Sequence, residues 1–279
     1  MTITIERLAA FSQGTTGGNP AGVVIADRLP DVDAMQRIAA EVGYSETAFA
    51  APEGDGWRVR YFAPSMEVPF CGHATIALGA ALAARAGDGV YPLTLNDRRI
   101  TVEGRTGHPV ATAALQSPPT RSDQAPDALR AEALALFGLD AADLDARIPP
   151  ALAEAGARHL ILALAERKTL SAMRYDFEAG KALMSRHGLT TIDLVHAETP
   201  RFFHARNPFA IGGVYEDPAT GAAAAAFGGY LRDLGWPHGG SIEILQGEDM
   251  GSPSRIAVEI GPEKGASIRL TGAVRAIAA

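Results

Sequence analysis

The sequence is poor in cysteine, with Cys71 as the single one among 279 residues. One cysteine excludes a disulfide within the chain and any metal site built from several thiolates. It also argues against a racemase that uses a pair of thiols as its two bases, because the second thiol is missing. The seven histidines are scattered without a His-x-x-x-His pair, so the sequence indicates no metal site.

Basic residues are also few, with 25 Lys and Arg against 32 Asp and Glu and a net charge of −7. Without a basic stripe to neutralise phosphates, we expect no nucleic-acid partner. No apolar run reaches the ~18 residues of a membrane span. The first residues alternate as Thr2-Ile3-Thr4-Ile5, which is typical of a strand rather than a signal peptide. We therefore expect a cytoplasmic protein with no membrane partner.

The length favours two domains, and residues 117–127, rich in Pro, Ser and Asp, are the predicted linker. A helix capped by Asp31 or Asp33 and ended by Gly43 is predicted from apolar residues at helical spacing. Further helices are predicted at 74–86, 127–137, 176–187 and 222–231. Strands are predicted at 3–10, 22–26, 47–50, 57–62, 92–95, 99–103, 158–165, 194–197, 201–203, 241–246, 255–260 and 267–276.

Two similar turns stand out, Phe70-Cys71-Gly72-His73-Ala74-Thr75-Ile76 and Glu216-Asp217-Pro218-Ala219-Thr220-Gly221-Ala222-Ala223. Each runs into an Ala- and Gly-rich segment without a polar stripe, which predicts a helix surrounded on all sides. A curved sheet is the natural wrapping, so we predict an α+β fold of two pseudo-symmetric domains. The N–H groups at each helix start can bind an anion. Two such starts suggest two half-sites that face one cleft.

Glu46 lies between a helix end and an apolar strand. A carboxylate that enters a buried strand loses hydration and becomes a better proton acceptor, which favours a general-base role. The alternative is a solvated turn residue without a function.

His73 is expected at the start of the first central helix, whose positive end disfavours imidazolium. A neutral His73 can donate a hydrogen bond or relay a proton, or it can merely bond to nearby backbone. Asp217 precedes the second central helix, where its ordinary role is an N-cap. Its place in the repeated motif, matching that of His73, favours a functional role instead.

Three further features allow two interpretations each. Cys71 near a helix start can be a reactive thiolate or a small buried residue, and we favour the buried residue. The loop 246–254 can contact a ligand or simply connect two strands. Asn19 can reach a ligand carboxylate or shape its own turn.

Taken together, the motifs resemble the PhzF (phenazine biosynthesis-like) family over nearly the whole chain. The resemblance is carried by Gly18-Asn19-Pro20-Ala21-Gly22-Val23, Ser45-Glu46-Thr47-Ala48-Phe49, Phe62-Ala63-Pro64, Glu67-Val68, Cys71-Gly72-His73-Ala74-Thr75, Arg158-His159-Leu160-Ile161, Asp217-Pro218-Ala219-Thr220-Gly221, Gln246-Gly247 and Met250-Gly251.

The resemblance implies the diaminopimelate-epimerase-like fold, with two barrel-like domains each built around a central helix. The implied domains are 1–116 with about 266–279, and 117–265. It further implies a cofactor-independent isomerase, often a homodimer, that acts on a small carboxylate. Glu46 would shuttle a proton with help from His73 and Asp217. Backbone amides at the helix starts, at Gly72, Gly221 and Ala222, would hold the substrate carboxylate.

The chain departs from the family pattern at two positions. Ala222 stands where the member that isomerises dihydro-hydroxyanthranilate has Ser, so one side-chain contact to substrate is missing. Ser252 stands where close relatives often have Arg. The change at Ala222 bears on the substrate more than on the proton transfer, and the change at Ser252 bears on the role of the loop 246–254. Two other functions stay open, namely a metabolite-binding protein without catalysis and an epimerase with non-thiol bases.

Overall fold

A computed structural model describes residues 3–278 and has a mixed α+β architecture. The strands are β1 Glu6–Ala10, β2 Asn19–Ile25, β3 Thr47–Glu53, β4 Gly56–Phe62, β5 Glu67–Val68, β6 Gly89–Thr94, β7 Arg99–Arg105, β8 Ala111–Gln116, β9 Arg121–Gln124, β10 Ala151–Glu154, β11 Arg158–Ala163, β12 Thr191–Thr199, β13 Phe202–Phe209, β14 Val214–Asp217, β15 Ser241–Gln246, β16 Ser254–Glu259 and β17 Arg269–Ala276. The α-helices are α1 Val32–Val42, α2 Gly72–Ala86, α3 Asp127–Phe137, α4 Arg167–Ser171, α5 Phe177–His187 and α6 Gly221–Leu234.

The chain divides into two compact units. Unit 1 comprises Met1–Gln116 and Thr271–Ala279, and unit 2 comprises Ser117–Leu270. None of the helices within residues 3–278 is both long and apolar enough to cross a membrane.

Unit 1 contains a closed barrel of eight strands in the order β1-β2-β3-β4-β6-β7-β8-β17, with β17 pairing back onto β1. The short strand β5 adds to β4. The pairs β2–β3 and β4–β6 are parallel, and α1 and α2 provide their crossover connections. Closure leaves the barrel strands without an open edge.

The interior of this barrel is filled by α2. Its residues from His73 to Ala83 are buried all round the helix, as the missing polar stripe predicted. Small residues allow the close fit, because a Cβ on Gly79 would lie 2.6 Å from Cγ2 of Val102. A Cβ on Gly104 of β7 would overlap the carbonyl oxygen of Gly79. Glycine at both positions lets the helix and the strand approach each other.

Helix α1 covers the outside of β3 and β4 and has both predicted ends. The Asp31 side chain accepts a hydrogen bond from the Ala34 amide at 2.7 Å, and Gly43 ends the helix at φ 72°. The buried residues Met35, Ala39 and Val42 follow helical spacing. Local signals alone were sufficient to predict this helix.

Unit 2 contains the strand order β9-β10-β11-β12-β13-β15-β16, with β14 added to β13. Helix α6 packs against β9, β10, β11 and β16, and its residues from Ala223 to Leu231 are buried. Along β1-β2-β3-β4-β6-β7 the pairings alternate from antiparallel to parallel, and the same order recurs along β10-β11-β12-β13-β15-β16. The predicted pseudo-symmetric arrangement of the domains stays a prediction.

Several predicted elements differ from the structure. The predicted linker contains strand β9, and β5, β8, β10, β14 and α4 were not predicted. Strand β1 begins at Glu6 rather than at Ile3, while Thr2 lies outside the described residues. The missed strands are short or rich in Ala and polar residues, so long-range pairing determines their structure more than local propensity does.

Candidate active site

Glu46 lies where the chain enters β3, three residues after Gly43 ends α1. Its carbonyl oxygen accepts a hydrogen bond from the Gly22 amide at 3.1 Å, and parallel pairing of β2 and β3 begins at Gly22 and Thr47. A Cβ on Gly22 would lie 2.7 Å from Thr47 Oγ1, so this close pairing requires glycine. The Glu46 side chain is 17% exposed, and its carboxylate is therefore largely but not fully shielded from water.

His73 occupies the first turn of α2, and its side chain is 8% exposed. Nδ1 lies 3.3 Å from Asn19 Nδ2, and Nε2 lies 3.4 Å from Glu46 Oε2 and 3.3 Å from Ser45 Oγ. Unit 1 thus brings together three of the residues proposed from sequence, Asn19, Glu46 and His73.

These contacts favour one tautomer of the His73 ring. With the Asn19 amide nitrogen donating, Nδ1 must accept, which puts the proton on Nε2. The Nε2–H group then faces the Glu46 carboxylate and the Ser45 hydroxyl. In this arrangement Asn19 holds the ring with its Nε2–H directed toward Glu46.

The start of α2 is held from inside the barrel. The Cys71 carbonyl accepts hydrogen bonds from the Thr75 amide at 3.0 Å and from Thr75 Oγ1 at 2.7 Å. Thr75 Oγ1 also lies 2.7 Å from the hydroxyl of Tyr61, whose pKa is raised by complete burial. Cys71 makes no side-chain cap to α2, and among residues 3–278 a Cβ on Gly72 would meet no atom within 4 Å. The helix start therefore keeps N–H groups beside open space, as an anion site requires.

Cys71, His73 and Glu46 also form a cluster of three potential metal ligands. One donor atom from each lies within 4.8 Å of the other two, and Cys71 Sγ lies 3.4 Å from Nδ1 and 3.9 Å from Nε2 of His73. No spacing in the sequence predicts this set, because Glu46 lies on a different element from Cys71 and His73. Cys71 is buried, as expected of a small core residue.

The second turn belongs to unit 2 and holds Asp217, Gly221 and Ala222. Helix α6 begins at Gly221 with Thr220 as its N-cap, so Asp217 lies three residues before the cap rather than at it. The Asp217 carboxylate accepts a hydrogen bond from Thr220 Oγ1 at 2.6 Å. Gly221 is buried and Ala222 is partly exposed at the helix start.

Gln246, which belongs to one of the motifs of the family resemblance, holds this turn together, a role that was not predicted from the sequence. Its Nε2 donates to the Asp217 carbonyl at 2.7 Å and to Thr220 Oγ1 at 3.0 Å. Its Oε1 accepts from the Thr220 amide at 3.1 Å. With both ends of its amide paired, Gln246 fixes the backbone beside Asp217.

The loop 246–254 connects β15 to β16 and also packs on the second turn. Gly247, at φ 76°, would place a Cβ 2.8 Å from the Pro218 carbonyl oxygen, so it must be glycine. A 3₁₀ turn at Glu248–Met250 follows, and Arg167 pairs there with Glu248 at 3.1 Å and Asp249 at 2.9 Å. The loop is a strand connection, as one of the two sequence interpretations had it, and it also supports the turn; its contact with a ligand stays a prediction.

Comparison with known proteins agrees with the motifs. The family model of the phenazine biosynthesis-like proteins, PhzC-PhzF, matches residues 8–278. An uncharacterized isomerase of Mesorhizobium japonicum is 33% identical, with 96% of this chain and 92% of the relative covered. The trans-2,3-dihydro-3-hydroxyanthranilate isomerase of Pseudomonas aeruginosa is 34% identical, with 88% of this chain and 86% of the relative covered.

A crystallised protein described as a predicted epimerase of Pseudomonas aeruginosa has the same fold, with a TM-score of 0.85 and 25% identity over 99% of this chain and 98% of that one. The match of the family model over nearly the whole chain and the two relatives above 30% identity agree with each other. The protein therefore belongs to the phenazine biosynthesis-like (PhzC-PhzF) family and is an enzyme of the isomerase class.

Proposed function

We propose that this enzyme is a cofactor-independent isomerase that moves a proton on a small carboxylate-bearing substrate, with Glu46 as the general acid/base. The observation that carries the proposal is the contact of 3.4 Å between Glu46 Oε2 and His73 Nε2. The ring is held on its other side by Asn19. A carboxylate that is oriented but still 17% exposed can reach a substrate proton.

In the proposed reaction, Glu46 accepts a proton from one carbon of the substrate and the C–H electron pair shifts into the adjacent π system. The protonated Glu46 then returns the proton to a second carbon, so that substrate and product are isomers. The Nε2–H of His73 donates to a Glu46 carboxyl oxygen and keeps that group oriented through the two transfers.

Negative charge that develops as the C–H bond breaks needs preorganised donors. The amides at the start of α2, near Gly72, supply such donors beside open space. We propose the same role for the amides of Gly221 and Ala222 at the start of α6, with Asp217 assisting. The hydrogen bonds of Asp217 and Thr220 with Gln246 hold that turn in one conformation.

The named relatives support a carboxylate substrate, because the Pseudomonas aeruginosa enzyme isomerises an anthranilate derivative according to its name. Ala222 removes a hydroxyl from the second helix start relative to the Ser expected there. We therefore propose a substrate that differs from this anthranilate at the end bound near Ala222. A homodimer and a cytoplasmic location are further proposals, and sedimentation of the purified protein tests the first of them.

Incubation in D₂O with a panel of small unsaturated carboxylates tests the proposal. Mass spectrometry should show deuterium incorporation and an isomerised product for the substrate. The variant Glu46→Gln should lower this rate about 10²- to 10⁴-fold, as expected for loss of a general base. Glu41→Gln is the matched control, since Glu41 is exposed on α1.

Three outcomes would contradict the proposal. Full turnover by Glu46→Gln would remove Glu46 from the mechanism. A carboxylate that stabilises the protein in thermal-shift assays without any deuterium exchange would indicate a binding protein instead. Exchange with inversion at a single carbon would identify an epimerase that uses non-thiol bases.

A further inference from the structure

We propose that Glu46, Cys71 and His73 form a binding site for a borderline-soft divalent cation such as Zn²⁺, and that the bound cation stops proton transfer at Glu46. The first half rests on the geometry of the three side chains. The second half rests on the proposed function of Glu46.

The distances between the donor atoms suit a tetrahedral cation. Metal–ligand bonds of ~2.0–2.3 Å place neighbouring ligand atoms of a tetrahedral zinc site about 3.3–3.6 Å apart. Nε2 of His73 lies 3.4 Å from Glu46 Oε2 and 3.9 Å from Cys71 Sγ. All three donors lie within 4.8 Å of one another, so small side-chain rotations complete the set.

The surroundings hold the donors in place. Cys71 and His73 flank the start of α2, and the hydrogen bonds of Thr75 with Cys71 and Tyr61 anchor that backbone. Nε2 binds a metal when the proton is on Nδ1, and Nδ1–H can then donate a hydrogen bond to the side-chain oxygen of Asn19 once that amide turns over. The 17% exposure of Glu46 provides the path by which a cation enters.

The donor types determine which cations fit. A thiolate and an imidazole favour Zn²⁺, whereas Mg²⁺ and Ca²⁺ prefer oxygen ligands. Three protein ligands leave one coordination position for water or a ligand carboxylate. Coordination occupies a Glu46 oxygen, which then cannot accept a proton from the substrate.

Titration of the metal-free protein with Co²⁺ tests the site without any substrate. A thiolate ligand gives a sulfur-to-cobalt charge-transfer absorption, and competition with a chromophoric chelator gives the Zn²⁺ affinity. Cys71→Ser should abolish the absorption and weaken Zn²⁺ binding at least about 100-fold, more than loss of an outer-shell partner does. Glu46→Gln is a second ligand variant that leaves the buried Cys71 unchanged.

His204→Gln is the control for binding elsewhere, because His204 contacts Glu248 at 2.5 Å and Glu198 at 2.7 Å in unit 2. Unchanged Zn²⁺ affinity in His204→Gln supports the site. Zn²⁺ affinity that survives Cys71→Ser and Glu46→Gln but is lost in His204→Gln overturns it.

Deuterium exchange in D₂O separates the two halves of the inference. Loss of exchange with Zn²⁺, but not with excess Mg²⁺, supports inhibition, whereas full exchange at saturating Zn²⁺ overturns it. A Cys71-dependent cobalt spectrum in a protein with no exchange activity would support the metal site and refute the proposed function instead. Exchange activity without any Cys71-dependent metal binding would leave the proposed function intact and overturn this inference.

Discussion

A buried aspartate and a buried histidine in unit 2 should make opposite, nearly cancelling contributions to the pH dependence of stability between about 4 and 6.5. Asp193 on β12 is 2% exposed, and burial raises its pKa from 3.8 to about 7 although Asn207 donates to it at 2.9 Å. His159 on β11 is fully buried, bonds to Thr191 at 2.7 Å, and burial lowers its pKa from 6.5 to about 3.

The two shifts have opposite signs in the folding free energy. Folded Asp193 keeps its proton up to about pH 7, whereas the unfolded chain releases it near pH 3.8. Its contribution to the stability of the folded state is therefore fully present below pH 3.8 and is lost as the pH rises to 7. Folded His159 stays neutral down to about pH 3, whereas the unfolded chain binds a proton below 6.5, so its contribution is lost as pH falls from 6.5 to 3. At 1.36 kcal/mol per pH unit, the effects amount to about 4 and about 5 kcal/mol.

Each single variant should expose the effect of the other residue. In Asp193→Asn, the free energy of unfolding should fall by about 1.4 kcal/mol per pH unit on acidification from 6.5 to 4. In His159→Gln, it should rise by a similar amount per unit on acidification from 7 to 4. The free energies come from urea denaturation followed by circular dichroism at half-unit pH steps.

The quantity to compare is the difference in pH slope of the unfolding free energy between each variant and wild type, because the other carboxylates contribute equally to both. Ser241→Ala, a change on β15 without a titratable group, controls for the effect of substitution itself. If the pH slopes of Asp193→Asn and wild type coincide between 4 and 7, Asp193 is ionised when folded and the argument from burial fails.

Three further predictions concern packing and the second turn. Gly104→Ala should lower the free energy of unfolding by about 1–3 kcal/mol, because its Cβ would overlap the Gly79 carbonyl. Gly89→Ala, with no described atom within 4 Å, should leave that free energy unchanged, and urea denaturation compares the two. Glu216→Gln should cost about 3–5 kcal/mol, because it leaves the 9%-exposed side chain of Arg206 without its carboxylate partner at 2.5 Å. Glu259→Gln, at the exposed pair with Arg269, should change stability by no more than about 1 kcal/mol in the same assay. If Glu216→Gln and Glu259→Gln had equal effects, burial of the Arg206–Glu216 pair would not explain the larger cost. Gln246→Leu should lower kcat/KM about 10- to 100-fold, because the Asp217 turn loses its hydrogen bonds to Gln246; the measurement uses the substrate found in the D₂O screen. An unchanged kcat/KM would show that the turn keeps its conformation without Gln246.

The sequence predicted those parts of the fold that depend on local signals. Helix α1 has an N-cap, apolar spacing and a terminal glycine within 13 residues, and it was predicted almost to its ends. The two central helices were recognisable because an Ala-rich segment with no polar stripe must be surrounded. By contrast, β9 consists of Arg-Ser-Asp-Gln, and only its pairing with β10 makes it a strand.

The candidate site was predicted less completely. Glu46 and His73 were chosen separately, and their contact depends on the parallel pairing of β2 with β3, which no local pattern specifies. Gln246 was named as part of a motif, but its role was not predicted, because its bonds to Thr220 reach back 26 residues. The N-cap role weighed for Asp217 as the alternative to a functional one does not apply, because Thr220 occupies that position.

Strand register links the core to the chemistry of unit 1. Asn19 pairs with Ala10 at one end of β2, and Gly22 pairs with Thr47 next to Glu46. Because side chains alternate between the faces of a strand, a shift of one residue would turn Asn19 away from His73 and move Glu46 with it. Register is specified by buried residues such as Val23, Val24 and Phe49, whose burial would be lost in the shifted pairing. The apolar residues of β2 and β3 therefore determine the position of the proposed general base, although none of them contacts His73 through a hydrogen bond in the described structure.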